Sequence, residues 1–142
     1  MELTKDLRRG NLVDVADGTL QRVKVERFYI DQEDNDCVIV STTKELRKRT
    51  CACRMDLLQG IPVTEELIQD LGFQWDMVTA MWYYDGIGVI DNGEQGFHII
   101  LTPHDFLLTV PIPCLHDLQN IYYYIRGKEL PVKTYHFDIP EQ

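Results

Sequence analysis

Short runs rich in β-branched and aromatic residues, separated by turn-forming residues, occur through most of the chain and constrain its fold more than any other feature. In the first part of the chain they predict strands over residues 12–15, 21–30, 37–40 and 50–54, with a turn at Asp17 and Gly18 and a polar loop over residues 31–36. Because so many short strands in one segment suit a small closed sheet, we predict an SH3-like β-barrel over residues 1–60.

The rest of the chain predicts strands between two short helices. Thr64 is a favourable N-cap, acidic Glu65 and Glu66 follow it in the first turn, and Gly72 suits the helix end. The second helix is predicted from Leu115 to about Arg126, before Gly127 and Pro131. Between and after the helices, strands are predicted over residues 80–84, 87–91, 97–101, 106–110 and 132–137.

Turn residues such as Asp85-Gly86 between these strands predict an antiparallel meander. The predicted fold is therefore α+β, with an SH3-like all-β module over residues 1–60 and an α+β module over residues 61–142, packed as one continuous unit.

The charge of the chain is unevenly distributed. The 142 residues carry 14 Lys and Arg against 23 Asp and Glu, a formal net charge of −9. Residues 1–60 hold 11 of each sign, whereas residues 61–142 hold 3 basic and 12 acidic residues. The acidity of the whole argues against a uniformly basic nucleic-acid binder but leaves room for a local basic face on the first module.

The basic segment over residues 44–54 is the candidate for such a face. Its cations, Arg47, Lys48, Arg49 and Arg54, are suited to phosphate contacts, although no aromatic residue is interleaved with them to stack on bases. The alternative is a solvated edge strand whose charges oppose aggregation. Nucleic-acid binding through these four residues is the second functional hypothesis.

Aromatic residues are dense at two places, and they provide the leading hypothesis. Trp82 and Tyr83 lie in a predicted strand, and Tyr123 and Tyr124 lie beside Tyr122 in the second helix. Since each helical residue turns by about 100°, three consecutive tyrosines cannot all be buried. Tyr and Trp are favoured in protein interfaces, so these four residues are the candidate partner-binding set. The alternative is that Tyr122 fills the core while Tyr123 and Tyr124 line its rim.

Sites for metals or catalysis are not predicted. Cys51, Cys53, Cys114 and His116 offer ligand types that zinc uses, but their spacing differs from the Cys-x₂-Cys pairs of familiar sites. No nucleophile elbow, phosphate-binding glycine loop or His-Glu-x-x-His motif occurs. We therefore expect no cofactor and no enzymatic activity.

Composition also indicates where the protein works. The N-terminal residues lack an apolar signal-peptide core, and no apolar run approaches the ~20 residues of a membrane helix. With four cysteines and no export signal, we expect a cytoplasmic protein with free thiols and no membrane partner.

Three sequence blocks carry a resemblance to a known family. The blocks are RGNLV over residues 9–13, IPVTEEL with LGF over residues 61–67 and 71–73, and HDLQNIY with GKEL over residues 116–122 and 127–130. Together they resemble a family of small uncharacterised proteins from gut bacteria and their phages or mobile elements. The resemblance supports one continuous unit and brings no activity, cofactor or site residue with it.

From these observations we expect a non-catalytic protein-interaction or accessory protein whose partner is another protein or a second copy of the chain.

Overall fold

The computed structural model describes residues 7–16, 20–44, 47–101 and 108–132. Most of its regular structure is antiparallel strand, accompanied by two α-helices, so the predicted α+β class is confirmed. The chain divides into two compact units. Unit 1 combines the described residues of Met1–Ile61 and Leu115–Gln142, and unit 2 is Pro62–Cys114. The predicted division of the chain after residue 60 stays a prediction, and the sequence pattern gives no sign of the boundary at Leu115.

Unit 1 contains a five-stranded antiparallel sheet. Its strands are β1 (Leu12–Val15), β2 (Val23–Ile30), β3 (Asp36–Lys44), β4 (Arg47–Arg54) and β5 (Leu58–Gln59), in the order β4-β3-β2-β1-β5. A 3₁₀ turn at Met55–Leu57 leads into β5, which the sequence pattern does not predict. The predicted turn at Asp17 and Gly18 lies outside the described residues. Closure of this sheet into an SH3-like barrel stays a prediction.

One face of the unit 1 sheet forms a core of aliphatic side chains. The period of two along each strand directs these side chains to the same side, where they are 5% exposed or less. They are Val13, Val15, Val23, Val25, Val38, Val40 and Leu58. A register shift between Val25 and Arg27 interrupts the alternation of β2 at Glu26. The bulge places Glu26 within reach of β3 and β4 side chains.

The helix of unit 1, α2 (Leu115–Arg126), has the bounds that the sequence predicts. Leu115, Leu118 and Tyr122 are buried at helical spacing. Gly127 ends the helix with φ +70°, and its N–H donates to the Tyr123 carbonyl at 2.8 Å. A side chain of α2 also bonds to β1, which joins the two ends of the chain in one unit. In the predicted strand over residues 132–137, all but Val132 lies outside the described residues.

Unit 2 contains one short helix and a sequential meander. The elements are α1 (Glu65–Asp70), β6 (Gln74–Asp76), β7 (Met81–Tyr84), β8 (Ile87–Asp91), β9 (Phe97–Leu101) and β10 (Leu108–Pro111). The strand order β10-β9-β8-β7-β6 confirms the predicted meander, while β6 is an additional strand. In the predicted strand over residues 106–110, residues 106 and 107 lie outside the described residues.

Local sequence signals account for the ends of these elements. Thr64 Oγ1 accepts the Leu67 N–H at 3.1 Å, which confirms the predicted N-cap. Gly72 follows α1 with φ +94°. Asp85 and Gly86 have φ of 49° and 77°, the left-handed pair that a two-residue type I′ hairpin requires.

Candidate functional sites

An aromatic pair lies at one edge of the unit 2 sheet. Trp75 on β6 and Trp82 on β7 are directly opposite each other in register, and their ring centroids are 5.0 Å apart at 57°. Trp82 is 8% exposed, whereas Trp75 is 49% exposed. Trp82 therefore supports the ring of Trp75 from inside, and Trp75 provides most of the accessible surface of the pair.

A groove of about 440 Å³ lies beside this pair, and we call it the tryptophan groove. It is lined by Glu65, Gln69, Trp75, Trp82, Asp91 and Phe97. Glu65 and Gln69 are one helical turn apart on α1, and Asp91 pairs with Phe97 across β8 and β9. The groove thus combines an aromatic floor with two carboxylates.

The charge of unit 2 is of one sign. Between Pro62 and Cys114 the sequence has eight Asp and Glu and no Lys or Arg, so unit 2 holds −8 of the net charge of −9. Unit 1 has the remaining 14 basic and 15 acidic residues. The division by unit separates the charge more completely than the division at residue 60, because α2 and the residues after it belong with the N-terminal strands.

Exposed apolar residues continue from the tryptophan groove into the β6–β7 loop. Met77 is 86% exposed and Val78 is 93% exposed. The Val78 N–H donates to Asp76 Oδ1 at 2.9 Å, and Asp76 pairs with Met81 at the base of the loop. The loop has a defined conformation that displays two apolar side chains to solvent.

In unit 1, Arg8 joins the chain before β1 to the end of α2. Its Nη1 and Nη2 atoms donate to Glu129 Oε1 and Oε2 at 2.5 and 3.0 Å, and its Nε donates to Asn120 Oδ1 at 3.1 Å. The guanidinium carbon lies 4.2 Å from the centroid of the Tyr123 ring. The hydrogen bonds to Glu129 raise the pKa of Arg8 above its ordinary value. The paired charges and the ring hold this side chain in one orientation.

Buried amide contacts reinforce the same junction. Gln119 Oε1 accepts the Leu12 N–H at 2.8 Å, and Gln119 Nε2 donates to the Gly10 carbonyl at 3.3 Å. Gly10 has φ +95°, and a Cβ there would lie 3.2 Å from Glu129 Oε1. The residues come from the RGNLV, HDLQNIY and GKEL blocks, so parts of the chain more than a hundred residues apart meet here.

The four basic residues of the nucleic-acid hypothesis lie on β4, the edge strand of the unit 1 sheet, and all are exposed. Lys48 Nζ is 3.0 Å from Glu26 Oε1, and Arg54 Nη2 donates to Asp56 Oδ2 at 2.6 Å. Arg47 and Arg49 lie on the opposite side of the strand from these two, because strand residues alternate. Glu45 and Leu46 of the basic segment lie outside the described residues. Two of the four cations are therefore engaged with carboxylates.

The four aromatic residues of the interaction hypothesis fall in different units. Trp82 and Tyr83 belong to β7 of unit 2, and Tyr123 and Tyr124 belong to α2 of unit 1. Tyr123 is 43% exposed and Tyr124 is 91% exposed. The sequence prediction omitted Trp75, the most accessible aromatic residue of the tryptophan groove. Its position opposite Trp82 in a hairpin is the signal that would have identified it.

The thiol and imidazole groups considered for zinc are distributed over both units. Cys51 and Cys53 lie on the exposed strand β4, Cys114 is buried at the end of unit 2, and His116 is buried in the first turn of α2. No disulfide joins the four cysteines, all of which lie in the described part of the chain. Burial raises the pKa of the Cys37 thiol, which makes it a weak nucleophile.

In the acidic loop after β2, the carboxylate of Asp31 accepts hydrogen bonds from the loop itself. Asp31 Oδ1 accepts the N–H groups of Glu33 and Asn35 at 2.8 and 2.9 Å. The backbone N–H of Asn35 lowers the pKa of Asp31 more than any other group. The Asp31 carboxylate thus shapes the loop, as a polar turn requires.

Comparison of the chain with family models, curated proteins and solved structures found no match. The resemblance drawn from the three sequence blocks therefore stays a prediction. Among the described residues, no helix has the length and apolar character needed to cross a membrane.

Proposed function

We propose that this chain is a non-catalytic protein-interaction module whose tryptophan groove binds a basic polypeptide segment with an apolar anchor. The observation that carries the proposal is a half-exposed Trp75 supported by a buried Trp82 in a unit without Lys or Arg. An aromatic ring beside carboxylates favours an apolar side chain flanked by cations over an acidic or purely polar partner.

The supported Trp75 ring provides the expected hot spot. Tryptophan is enriched among residues whose truncation weakens protein binding by 2 kcal/mol or more, roughly thirtyfold. Glu65 and Asp91 at the groove are exposed to water, so their attraction for cations acts mainly on association rate and salt dependence. Most of the affinity is thus assigned to the Trp75 ring, and the preference for cationic partners is assigned to Glu65 and Asp91.

Strand β6 suggests how the partner is oriented. It is the last strand of the unit 2 sheet, so one of its edges faces away from β7. An extended peptide pairing with that edge would bring alternate side chains to the Trp75 face. Met77 and Val78, next to this edge, would add apolar contact.

Unit 1 is proposed to be an SH3-like barrel. The first half of β1 pairs with β2 through Leu12–Lys24 and Val13–Val23, while the second half pairs with β5 through Asp14–Gln59 and Val15–Leu58. A strand shared in this way lets a small sheet curl around its own core. Thiols without a disulfide suit a reducing compartment, and we place the protein in the cytoplasm.

The experiment is a titration with a short synthetic peptide of alternating lysine and leucine residues. Both tryptophans of the chain line the groove, so intrinsic tryptophan fluorescence reports on this site alone. We expect saturable binding that weakens with salt, and no binding of the matched peptide with glutamate in place of lysine.

Calorimetry on variants locates the site. Trp75→Ala is expected to weaken binding about thirtyfold, and Glu65→Gln with Asp91→Asn to weaken it less and flatten the salt dependence. Glu66→Gln with Glu94→Gln removes two exposed acids of unit 2 outside the groove and is the charge-matched control. Absence of peptide binding at low salt, or full affinity of Trp75→Ala, would contradict the proposal.

Exposure of the β4 cations supports nucleic-acid binding as the second candidate. A labelled single-stranded oligonucleotide titrated at increasing salt tests it, with Arg47→Ala/Arg49→Ala as the variant. We expect weaker binding than for the basic peptide, because Glu26 and Asp56 already engage Lys48 and Arg54.

A further inference from the structure

A second cavity, of about 500 Å³, lies wholly within unit 1. Its lining includes Arg8, Arg9, Lys24, Glu26, Tyr123 and Glu129, and we call it the Tyr123 cavity. The volume is within the range of about 300–1,000 Å³ that small-molecule sites occupy. It is open to solvent, and none of its residues belongs to the tryptophan groove.

Both carboxylates at the Tyr123 cavity are compensated within the protein. Glu129 receives two hydrogen bonds from Arg8. Glu26 receives the Ser41 hydroxyl at 2.6 Å and the Lys48 ammonium at 3.0 Å. These contacts leave little of either negative charge for a ligand.

Two cations at the cavity remain accessible. Arg9 and Lys24 are both exposed, and Arg9 forms no ion pair within the ranges that the structure describes. Lys24 contributes to the field at Glu26 without lying within ion-pair distance of it. Among the described residues, neither Arg9 nor Lys24 has an ion-pair partner, so the cavity presents positive charge to a ligand.

An oriented aromatic ring lies beside these cations. Tyr123 contacts the Arg8 guanidinium and still has 43% of its surface exposed. Since Glu129 and Asn120 hold Arg8 in place, the ring has a fixed support and needs little ordering when a second planar group packs on it.

We propose that the Tyr123 cavity binds a small organic anion with a flat ring, whose ring packs on Tyr123 and whose anionic group contacts Arg9 and Lys24. This ligand class follows from the combination of a ring with two exposed cations that form no ion pair in the described part of the chain, since either alone would suit a simpler ligand. The proposal is independent of the basic peptide at the tryptophan groove.

Calorimetry with phenyl phosphate tests the proposal on the full chain. Benzoate tests whether a carboxylate serves as well as a phosphate, and phenol and inorganic phosphate supply the ring and the anion separately. We expect phenyl phosphate or benzoate to bind at least tenfold more tightly than either separate part, without a change in tryptophan fluorescence.

Variants decide which residues bind the probe. Arg9→Ala and Lys24→Ala are each expected to weaken binding about tenfold, and Tyr123→Leu to reduce affinity to that of inorganic phosphate. Tyr123→Phe keeps the ring, and Arg47→Ala removes an exposed cation outside the cavity, so both should bind normally. Circular dichroism checks that each variant is folded. Failure of both ring-bearing anions to bind, equal binding of inorganic phosphate, or normal binding by folded Tyr123→Leu would overturn the proposal.

Discussion

The described parts of units 1 and 2 each contain a five-stranded antiparallel sheet and one α-helix, but the two units connect these elements over different distances along the chain. In unit 2 every strand pairs with its neighbours in sequence, within one continuous segment. In unit 1, β1 pairs with β5 across more than forty residues, and Gln119 of α2 bonds to Leu12 across 107 residues. Unit 1 therefore cannot be completed until both ends of the chain are present, whereas unit 2 depends on local contacts.

The two units also differ in charge, and the difference has a consequence for binding. Unit 2 holds eight acids and no Lys or Arg, while unit 1 has nearly balanced charge. Uniform negative charge in unit 2 attracts cations over long range, whereas unit 1 has charges of both signs, some of which form internal pairs such as Arg8–Glu129. This difference is the basis for proposing peptide recognition by unit 2 and short-range binding of a small anion by unit 1.

The largest expected effect tests the dependence of unit 1 on α2. Tyr122 is fully buried, and Tyr122→Ala should lower the free energy of unfolding of unit 1 by about 3–5 kcal/mol. Hydrogen exchange measured by mass spectrometry should show lost protection in β1 to β3. Tyr124→Ala, at a site that is 91% exposed, should change stability by less than about 0.5 kcal/mol. Equal effects of the two variants would contradict the assignment of α2 to unit 1.

A smaller effect is expected from the bond that joins the chain ends. Gln119→Met keeps the volume of the side chain but leaves the buried Leu12 N–H without its acceptor, which should cost about 1–3 kcal/mol. Urea denaturation, monitored by far-ultraviolet circular dichroism, measures this loss in the free energy of unfolding. Gln95→Met, at an exposed position of unit 2, is the control. A stable Gln119→Met variant would mean that the other contacts, including the Arg8 hydrogen bonds to Asn120 and Glu129, hold the chain ends together without this bond.

Thr64→Ala tests the local character of unit 2. Removing the hydroxyl that accepts the Leu67 N–H should cost about 1 kcal/mol, because a helix of six residues depends strongly on its cap. Urea denaturation followed by tryptophan fluorescence reports on unit 2. Thr64→Ser keeps the acceptor and should restore most of the loss, and equal destabilisation by both substitutions would contradict a capping role.

The smallest effect concerns the pH dependence of unit 1. The Ser41 hydroxyl, followed by Lys48, lowers the pKa of Glu26, so the folded state favours the ionised carboxylate. The stabilisation by ionised Glu26 is fully present above the ordinary glutamate pKa of about 4.3. It is lost as the pH falls through the lower pKa that Glu26 has in the folded state. Glu26→Gln should therefore reduce the loss of stability between neutral pH and about pH 3.5 by less than about 1 kcal/mol. The midpoints of urea denaturation of the wild-type protein and of Glu26→Gln, each at the two pH values, measure this difference. An unchanged pH dependence of stability in Glu26→Gln would show that Glu26 does not contribute.

Short-range features could be predicted from the sequence because adjacent residues produce them. The Thr64 cap, the Asp85-Gly86 turn and the bounds of α2 all follow from backbone preferences and side chains within a few positions. Strands β5 and β6 could not be predicted, since each is three residues or fewer and exists only through pairing with a partner strand. The candidate sites divide in the same way: Trp82 and Tyr123 were predicted, while Trp75, Arg8 and Arg9 acquire their places through register and packing.

By itself, the sequence determined the α+β class, the meander, the limits of both helices and the charge asymmetry, because each depends on local conformational preference or on composition. The tertiary structure alone decided that α2 belongs with the N-terminal strands and which tryptophan faces solvent. Those outcomes depend on which of several distant segments covers a given apolar surface. The packing of the whole unit determines which segment does so.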